Sequence, residues 1–276
     1  MTPRSFLLLG IMSLSLGLGS CSTGGGGGGG KSMFEPSDQQ INKEAEKAYA
    51  DVKSKATLST NARWNEMVQR VGTRIAKASG ENFKWEVILI EGKEVNAWCM
   101  PGGKMAVYTG IMPVLQTEGA LAAVMGHEVA HATKRHGREG YARAMKGQLA
   151  GLAVAVPLAL AGQFWCKSQA CKVATLAGAA ASGFAVTFFQ MKFSRGDETE
   201  ADQAGQIYMA KAGYDPSEAA RVWERMSKAS GGKGPPEILS THPANAHRRD
   251  NLTKWLPEAQ AEYARSSDKR GIGENI

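Results

Sequence analysis

Two histidines and a glutamate form the group of residues with the clearest chemical potential in this sequence. His127-Glu128-Val129-Ala130-His131 has the pattern H-E-x-x-H. On a helix, side chains four residues apart lie on the same face, so both imidazole rings can bind one Zn²⁺ at about 2.0–2.1 Å each. The glutamate beside the first ring is placed to take a proton from a water on the metal. The pattern therefore predicts a hydrolytic zinc site with Glu128 as its base.

A second acidic segment supplies a candidate third ligand. In Glu198-Thr199-Glu200-Ala201-Asp202, the first and last residues lie four apart on one helical face. Glu198 can complete the metal site, and Asp202 can accept a hydrogen bond from the second ring nitrogen of a ligand histidine. Glu200 faces another direction and is expected in solvent. Taken alone, the segment would be an acidic first helical turn, but the upstream H-E-x-x-H favours metal binding.

The two histidines lie in the best-defined predicted helix, 117–136. Thr117 is a good N-cap, and Gly137 follows as a C-cap. The apolar flanks of the motif indicate a buried helix, where His and Glu need partners. This argues against the alternative of a solvated helix face with two chance histidines. His136 is interpreted as a helix-end residue, and His247 as a surface residue.

Periodicity elsewhere predicts an α+β, mainly α-helical fold with a small three-stranded sheet. Ser59 or Thr60 is the expected N-cap of the second helix, and Gly80 its end. Strands are expected at 85–90, 96–100 and 105–109, and further helices at 37–55, 60–79, 196–212, 215–229 and 243–265.

Four motifs in order resemble metallopeptidase family forty-eight, between about residues 40 and 255. They are N-A-W-C-M-P-G-G-K, H-E-V-A-H, S-R-G-D-E-T-E-A-D and T-H-P-A-N-A-H-R. The family includes Oma-type, BepA-like and LoiP-like zinc proteases. The resemblance implies a zincin-like (gluzincin) domain with an active-site helix, one Zn²⁺ per subunit and endopeptidase activity. It also implies His127, His131 and Glu198 as the metal ligands.

Two of these motifs carry less defined roles. Asn96, Ala97 and Trp98 resemble the family's edge strand above the metal, which can bind an extended peptide through its backbone, or is a plain structural strand. The bulky Trp98 either narrows the cleft or packs in the core. His242 either hydrogen-bonds the oxyanion, blocks the metal, or is simply a loop histidine before a proline. We treat His242 as a candidate catalytic residue.

The N-terminus predicts export and lipidation. Residues 1–20 have a positive start and an apolar stretch too short to span a bilayer comfortably, followed by Cys21 in a lipobox-like context. Residues 21–36, a lipidated Cys and a Gly-rich tether, then lead to a metallopeptidase domain at 37–276. The Gly run also matches G-x-x-x-x-G-K-S, but a phosphate-binding loop needs a preceding strand and a following helix.

An apolar helical hairpin is expected within 147–190, either packed on the domain or in contact with a membrane. Cys166 and Cys171 within it could form a disulfide or remain free thiols. The formal net charge of +7 comes from scattered Lys and Arg, which argues against a nucleic-acid partner.

These observations favour a zinc-dependent metalloendopeptidase that hydrolyses unfolded or misassembled envelope proteins. It would be lipid-anchored in a bacterial envelope, with Ser22 after Cys21 fitting the outer membrane and a periplasmic orientation. The alternative hypothesis is a non-proteolytic chaperone or assembly lipoprotein with a blocked zinc site.

Overall fold

A three-stranded sheet lies between two groups of helices. The computed structural model describes residues 36–147, 184–229, 237–242 and 247–276. The strands are β1 (Glu86–Ile90), β2 (Ala97–Met100) and β3 (Lys104–Tyr108). The helices are α1 (Asp38–Lys55), α2 (Ala62–Ser79), α3 (Met112–Leu115), α4 (Glu118–Thr133), α5 (136–147), α6 (Phe184–Gln190), α7 (Arg195–Lys211), α8 (Glu218–Ala229), α9 (Glu237–Thr241) and α10 (His247–Arg265). The predicted α+β, mainly α-helical fold with a small sheet is confirmed.

The sheet order is β1-β3-β2, with β1 parallel and β2 antiparallel to β3. Because side chains alternate along a strand, the two faces of the sheet have different neighbours. Val87, Cys99 and Val107 face the core built with α2 and α4. Ile88 and Trp98 face a second apolar cluster with α1 and α6. Strand β2 therefore lies at one edge of the sheet, between the two cores.

Helix α4 carries the H-E-x-x-H motif through the centre of the protein, and all of its sixteen residues are buried. Thr117 caps it as predicted, because its side chain accepts a hydrogen bond from the Ala120 N–H. The predicted end at 136 and the Gly137 cap are wrong. The helix ends at Thr133, and Arg135 adopts a left-handed φ of 64°. Gly137 instead lies inside α5, where a Cβ atom would lie 3.0 Å from Cγ of Pro101.

Other predicted boundaries shift by a few residues. Asn61, not Ser59 or Thr60, caps α2 with its side chain, while Gly80 ends that helix with a φ of 74°, as expected. The chain after α7 needs a turn before helical geometry begins, so α8 starts at Glu218 rather than 215. The short helix α9 was not anticipated.

The C-terminal segment forms hydrogen bonds with the N-terminal end of α4. The backbone carbonyls of Glu274 and Ile272 accept hydrogen bonds from the Glu118 and Gly119 N–H groups, each at 2.8 Å. The buried Glu118 carboxylate accepts a hydrogen bond from Arg70 Nε at 2.8 Å. These contacts satisfy two of the N–H groups that a helix N-terminus leaves unpaired.

Several predictions lie outside the described residues. They concern the signal peptide 1–20, Cys21, the tether, most of the hairpin, and the Cys166–Cys171 pair. Within the residues that are described, no helix combines the length and the apolar character needed to cross a membrane. In the same part of the chain, Cys99 is a buried free thiol.

Candidate metal centre

Two glycines allow the helices that carry the candidate ligands to touch. Helix α4 crosses α7 at Gly126 and Gly205. A Cβ atom on Gly205 would lie 2.7 Å from the backbone N of His127 and 2.8 Å from the carbonyl carbon of Gly126. Any side chain there would separate the two backbones. This contact sets Glu198, in the first turns of α7, opposite the histidines of α4.

Four polar side chains converge at this crossing, two from α4, one from α7 and one from the residue that follows α9. His127 Nε2 lies 3.1 Å from His131 Nε2 and 3.2 Å from His242 Nδ1. Glu198 Oε1 lies 3.0 Å from His242 Nδ1 and 3.5 Å from His131 Nε2. One donor atom from each residue falls within 4.8 Å of all the others, and all four residues are buried. The structure thus brings together the three predicted ligands and His242.

The spacing and chemistry of these atoms fit a zinc ion. Two nitrogens at about 2.0–2.1 Å from a tetrahedral Zn²⁺ would be about 3.3 Å apart, close to the ring-nitrogen separations here. Glu198 Oε2 is buried without a hydrogen-bond partner, although Arg248 Nη1 lies 2.7 Å away in an unaligned position. A buried carboxylate oxygen left without an aligned partner is costly, and a cation in the group would satisfy it.

The second ring nitrogens of the two motif histidines have partners of their own. His127 Nδ1 lies 3.0 Å from Asp202 Oδ1. Arg248 donates to both oxygens of the same carboxylate, Nε to Oδ2 at 2.7 Å and Nη2 to Oδ1 at 2.6 Å. Such contacts fix the ring orientation and the tautomer of a metal-binding histidine. The position of Asp202 matches the orienting role expected from the sequence.

His131 has an orienting partner that the sequence did not reveal. Its Nδ1 lies 3.0 Å from Nδ1 of His136, whose Nε2 is 3.2 Å from Glu200 Oε2. His136 does not end α4, as the sequence predicted, but begins α5, and its side chain is buried. Glu200 is exposed as expected but also pairs with Lys134 at 2.9 Å. The left-handed turn before His136, which directs this ring back to His131, has no signal in the sequence.

The electrostatics of the group are those of a site that holds positive charge. Burial disfavours the protonated form of His127, but the nearby carboxylates of Asp202 and Glu198 outweigh it and raise its pKa to about 9. Burial lowers the pKa of His131 well below its usual value. Burial alone would raise the pKa of Glu198, but the adjacent rings of His127, His131 and His242 hold it well below its usual range. A proton on His127 therefore supplies charge that a metal ion would replace.

Glu128 lies beside the group without joining it. Its Oε1 is buried with no hydrogen-bond partner, 3.6 Å from His242 Nε2. Burial raises the pKa of the Glu128 carboxyl group. A buried carboxylate with a raised pKa and a free oxygen is suited to accept a proton.

The predicted edge-strand residues lie along one side of a cleft of about 400 Å³ that also reaches Glu128 and His242. The Asn96 side chain accepts a hydrogen bond from the Ala97 N–H at 2.9 Å. Trp98 is buried and packs edge-on against the ring of Phe189 at 5.4 Å. It therefore both packs in the second core and lines the cleft.

A helix with two histidines one turn apart, a glutamate after the first, and a carboxylate from a second helix define a zincin of the gluzincin type. The model of Peptidase family M48 matches residues 60–256, and the chain belongs to that family. Its members use zinc, which agrees with the donor set found here.

The chain is also similar to several curated metallopeptidases. Mitochondrial metalloendopeptidase OMA1 of Schizosaccharomyces pombe is 38% identical over 196 residues, which cover 70% of this chain and 53% of the relative. OMA1 of Saccharomyces cerevisiae is 33% identical over 195 residues, 67% of this chain and 51% of the relative. Metalloprotease LoiP of Escherichia coli is 28% identical over 219 residues, 78% and 80% of the two chains. The chain thus spans about half the length of the two OMA1 relatives.

Proposed function

We propose that this chain is a zinc-dependent metalloendopeptidase that cleaves extracytoplasmic polypeptides. The observation that carries the proposal is the convergence of two ring nitrogens of α4 and the Glu198 carboxylate beside the free oxygen of Glu128. His127, His131 and Glu198 would hold the metal. A Zn²⁺ ion there would act as a Lewis acid on the scissile carbonyl and on the attacking water.

The residues of the chain supply the proton transfers and the positioning. Glu128 accepts the proton of the attacking water and passes it to the leaving amine, which its raised pKa favours. Asp202 and His136 hold the two ligand rings in orientation through their second nitrogens. Strand β2, open on the side away from β3 among the described residues, aligns an extended substrate by backbone hydrogen bonds.

His242 supports a second candidate function. With its Nδ1 in the donor group, four protein atoms surround the metal position, whereas a catalytic zinc keeps one position open. Proteolysis then requires His242 to move aside, after which it can donate a hydrogen bond to the oxyanion. A protein in which it stayed in place would act as a chaperone or assembly lipoprotein with a blocked site.

Metal content and cleavage of an unfolded protein test these alternatives together. Glu128→Gln should abolish cleavage of unfolded casein while binding as much zinc as wild type. Full activity in this variant would remove Glu128 from the mechanism. A chain that never cleaves casein, either as wild type or as His242→Ala, would favour the chaperone function. Glu198→Ala should bind less zinc than wild type if Glu198 is the third metal ligand. Unchanged zinc content would show that Glu198 does not bind the metal.

We further propose the envelope location that the N-terminal sequence indicates, with a lipid on Cys21 and the domain facing the periplasm from the outer membrane. The similarity to Metalloprotease LoiP of Escherichia coli over most of both chains supports a bacterial setting. The substrates would then be unfolded or misassembled envelope proteins. Labelled palmitate should enter wild type but not Cys21→Ser.

A further inference from the structure

The cleft beside the candidate catalytic centre is lined by a group of large apolar and aromatic side chains together with several polar residues. It lies between β2 and the segment that runs from α6 to α7, and has a volume of about 400 Å³. Such a volume lies within the range of about 300–1,000 Å³ typical of ligand sites. Its large lining side chains are Trp98, Tyr108, Phe188, Phe189, Met191 and Phe193.

This cleft is continuous with the groups that would act on a peptide bond. Glu128 and His242 line it from one side, and the edge residues Asn96 and Ala97 from another. A polypeptide aligned on β2 with its scissile bond next to Glu128 would therefore place a neighbouring side chain among the aromatic rings. The occupant that fits this position is a residue of the substrate.

The charged groups of the lining have a single sign. Among the described residues that line the cleft, Glu94 and Glu128 are the acidic ones, and no lysine or arginine is present. Glu94 is exposed, while Glu128 is buried. An acidic side chain entering the cleft would lose hydration and meet like charge, and both effects oppose its binding.

We propose that this cleft makes the enzyme select substrates with a large apolar or aromatic side chain next to the scissile bond, and reject acidic side chains there. The inference rests on the proposed peptidase function and names its substrate class. Segments of this kind are buried in folded proteins, so the cleft restricts cleavage to chains that have lost or not yet reached their folded state.

Helix α6 provides a matched pair of positions for the test. Phe189 and Val186 lie three residues apart and are similarly exposed, at 40% and 48%. Only Phe189 belongs to the cleft lining, where its ring packs against Trp98 and Phe188. Phe189→Asp and Val186→Asp therefore add the same charge to the same helix. The first substitution places it inside the cleft, and the second places it outside.

The experiment uses internally quenched peptides that are identical except for Phe, Ala or Asp at the residue next to the cleaved bond. Wild type should hydrolyse the Phe peptide with a kcat/KM about tenfold or more above the Ala peptide, and the Asp peptide most slowly. Phe189→Asp should remove the preference for Phe, and Phe189→Ala should reduce it. Val186→Asp should leave it unchanged. Glu94→Lys should raise the hydrolysis of the Asp peptide relative to the others.

Binding of the same peptides to zinc-loaded Glu128→Gln, followed by fluorescence anisotropy, separates this inference from the function on which it rests. Hydrolysis of all three peptides with equal kcat/KM would overturn the selectivity and leave the peptidase function intact. Absence of hydrolysis with the expected order of affinities would overturn only the peptidase function. A Phe189→Ala variant that hydrolyses every peptide faster by the same factor would also overturn the selectivity, because Phe189 would then obstruct the cleft and not select the substrate side chain.

Discussion

The contact between Gly126 and Gly205 predicts that one methyl group will damage the metal centre. In Gly205→Ala the new Cβ would lie 2.7 Å from the His127 N atom. Carbon contacts become favourable near 3.5 Å, so α4 and α7 must separate by about 0.8 Å. Metal–ligand distances tolerate a deviation of only about 0.2 Å from their ideal values. Because His127 and Glu198 belong to different helices, the separation acts directly on the geometry of the site.

The magnitude follows from two opposing effects. Overpacking of a tight core costs about 1–3 kcal/mol, while replacing a helical Gly by Ala gains about 1 kcal/mol in propensity. We therefore expect Gly205→Ala to lower the melting temperature and to weaken zinc binding at least about tenfold. Competition with a chelator of known affinity measures the zinc affinity, and thermal unfolding of the metal-free protein measures stability.

Gly196 is a matched control on the same helix. A Cβ there would meet only Ser194 Oγ, at 3.6 Å, which is ordinary contact. Gly196→Ala should therefore gain up to about 1 kcal/mol of stability and leave zinc affinity unchanged. If Gly205→Ala binds zinc as tightly as Gly196→Ala and melts no lower, the close contact between the helices does not position the ligands.

Two further predictions concern Glu118, at the start of α4, and His136, beside its end. Burial opposes ionisation of Glu118, but hydrogen bonds from Arg70 and Tyr214 lower its pKa below the usual value. Its ionised form thus stabilises the fold at neutral pH, and this contribution is lost as the pH falls below about 4.3 through the folded-state pKa. Glu118→Gln should lower the free energy of unfolding, measured with urea at pH 7, by about 1.5–3 kcal/mol. The difference from wild type should shrink at pH 3.5, and a difference that stays constant with pH would contradict the prediction. His136→Ala should weaken zinc binding about 10- to 100-fold in the same chelator assay while Glu200→Gln, at an exposed position, has a smaller effect. Equal zinc affinity for His136→Ala and wild type would exclude an orienting role.

The sequence allowed prediction of features that depend on local spacing. The H-E-x-x-H helix, the Thr117 cap and the Gly80 end follow from the preferences of single residues and from helical periodicity. The grouping of His127 with Glu198 was expected from two motifs and a family resemblance. In each case the information lies within a few consecutive residues.

Features that depend on packing between distant segments could not be predicted in the same way. The parallel pairing of β1 with β3, which leaves β2 at the edge, joins two strands that are not consecutive in the sequence. His242 approaches His127 across 115 residues of chain. The turn at Arg135 is a left-handed conformation of a residue that gives no local signal for it, so the role of His136 stayed hidden.

The dependence of α4 on the C-terminal segment sets an order of events during synthesis. A growing chain presents both motif histidines while the Glu198 carboxylate, the Arg248 guanidinium and finally the Ile272 carbonyl are still missing. Until those later residues emerge, the first turn of α4 has unpaired N–H groups and its histidines have no third partner. The donor group of the candidate metal centre therefore comes together only when the segments that follow α4 are available to hold it.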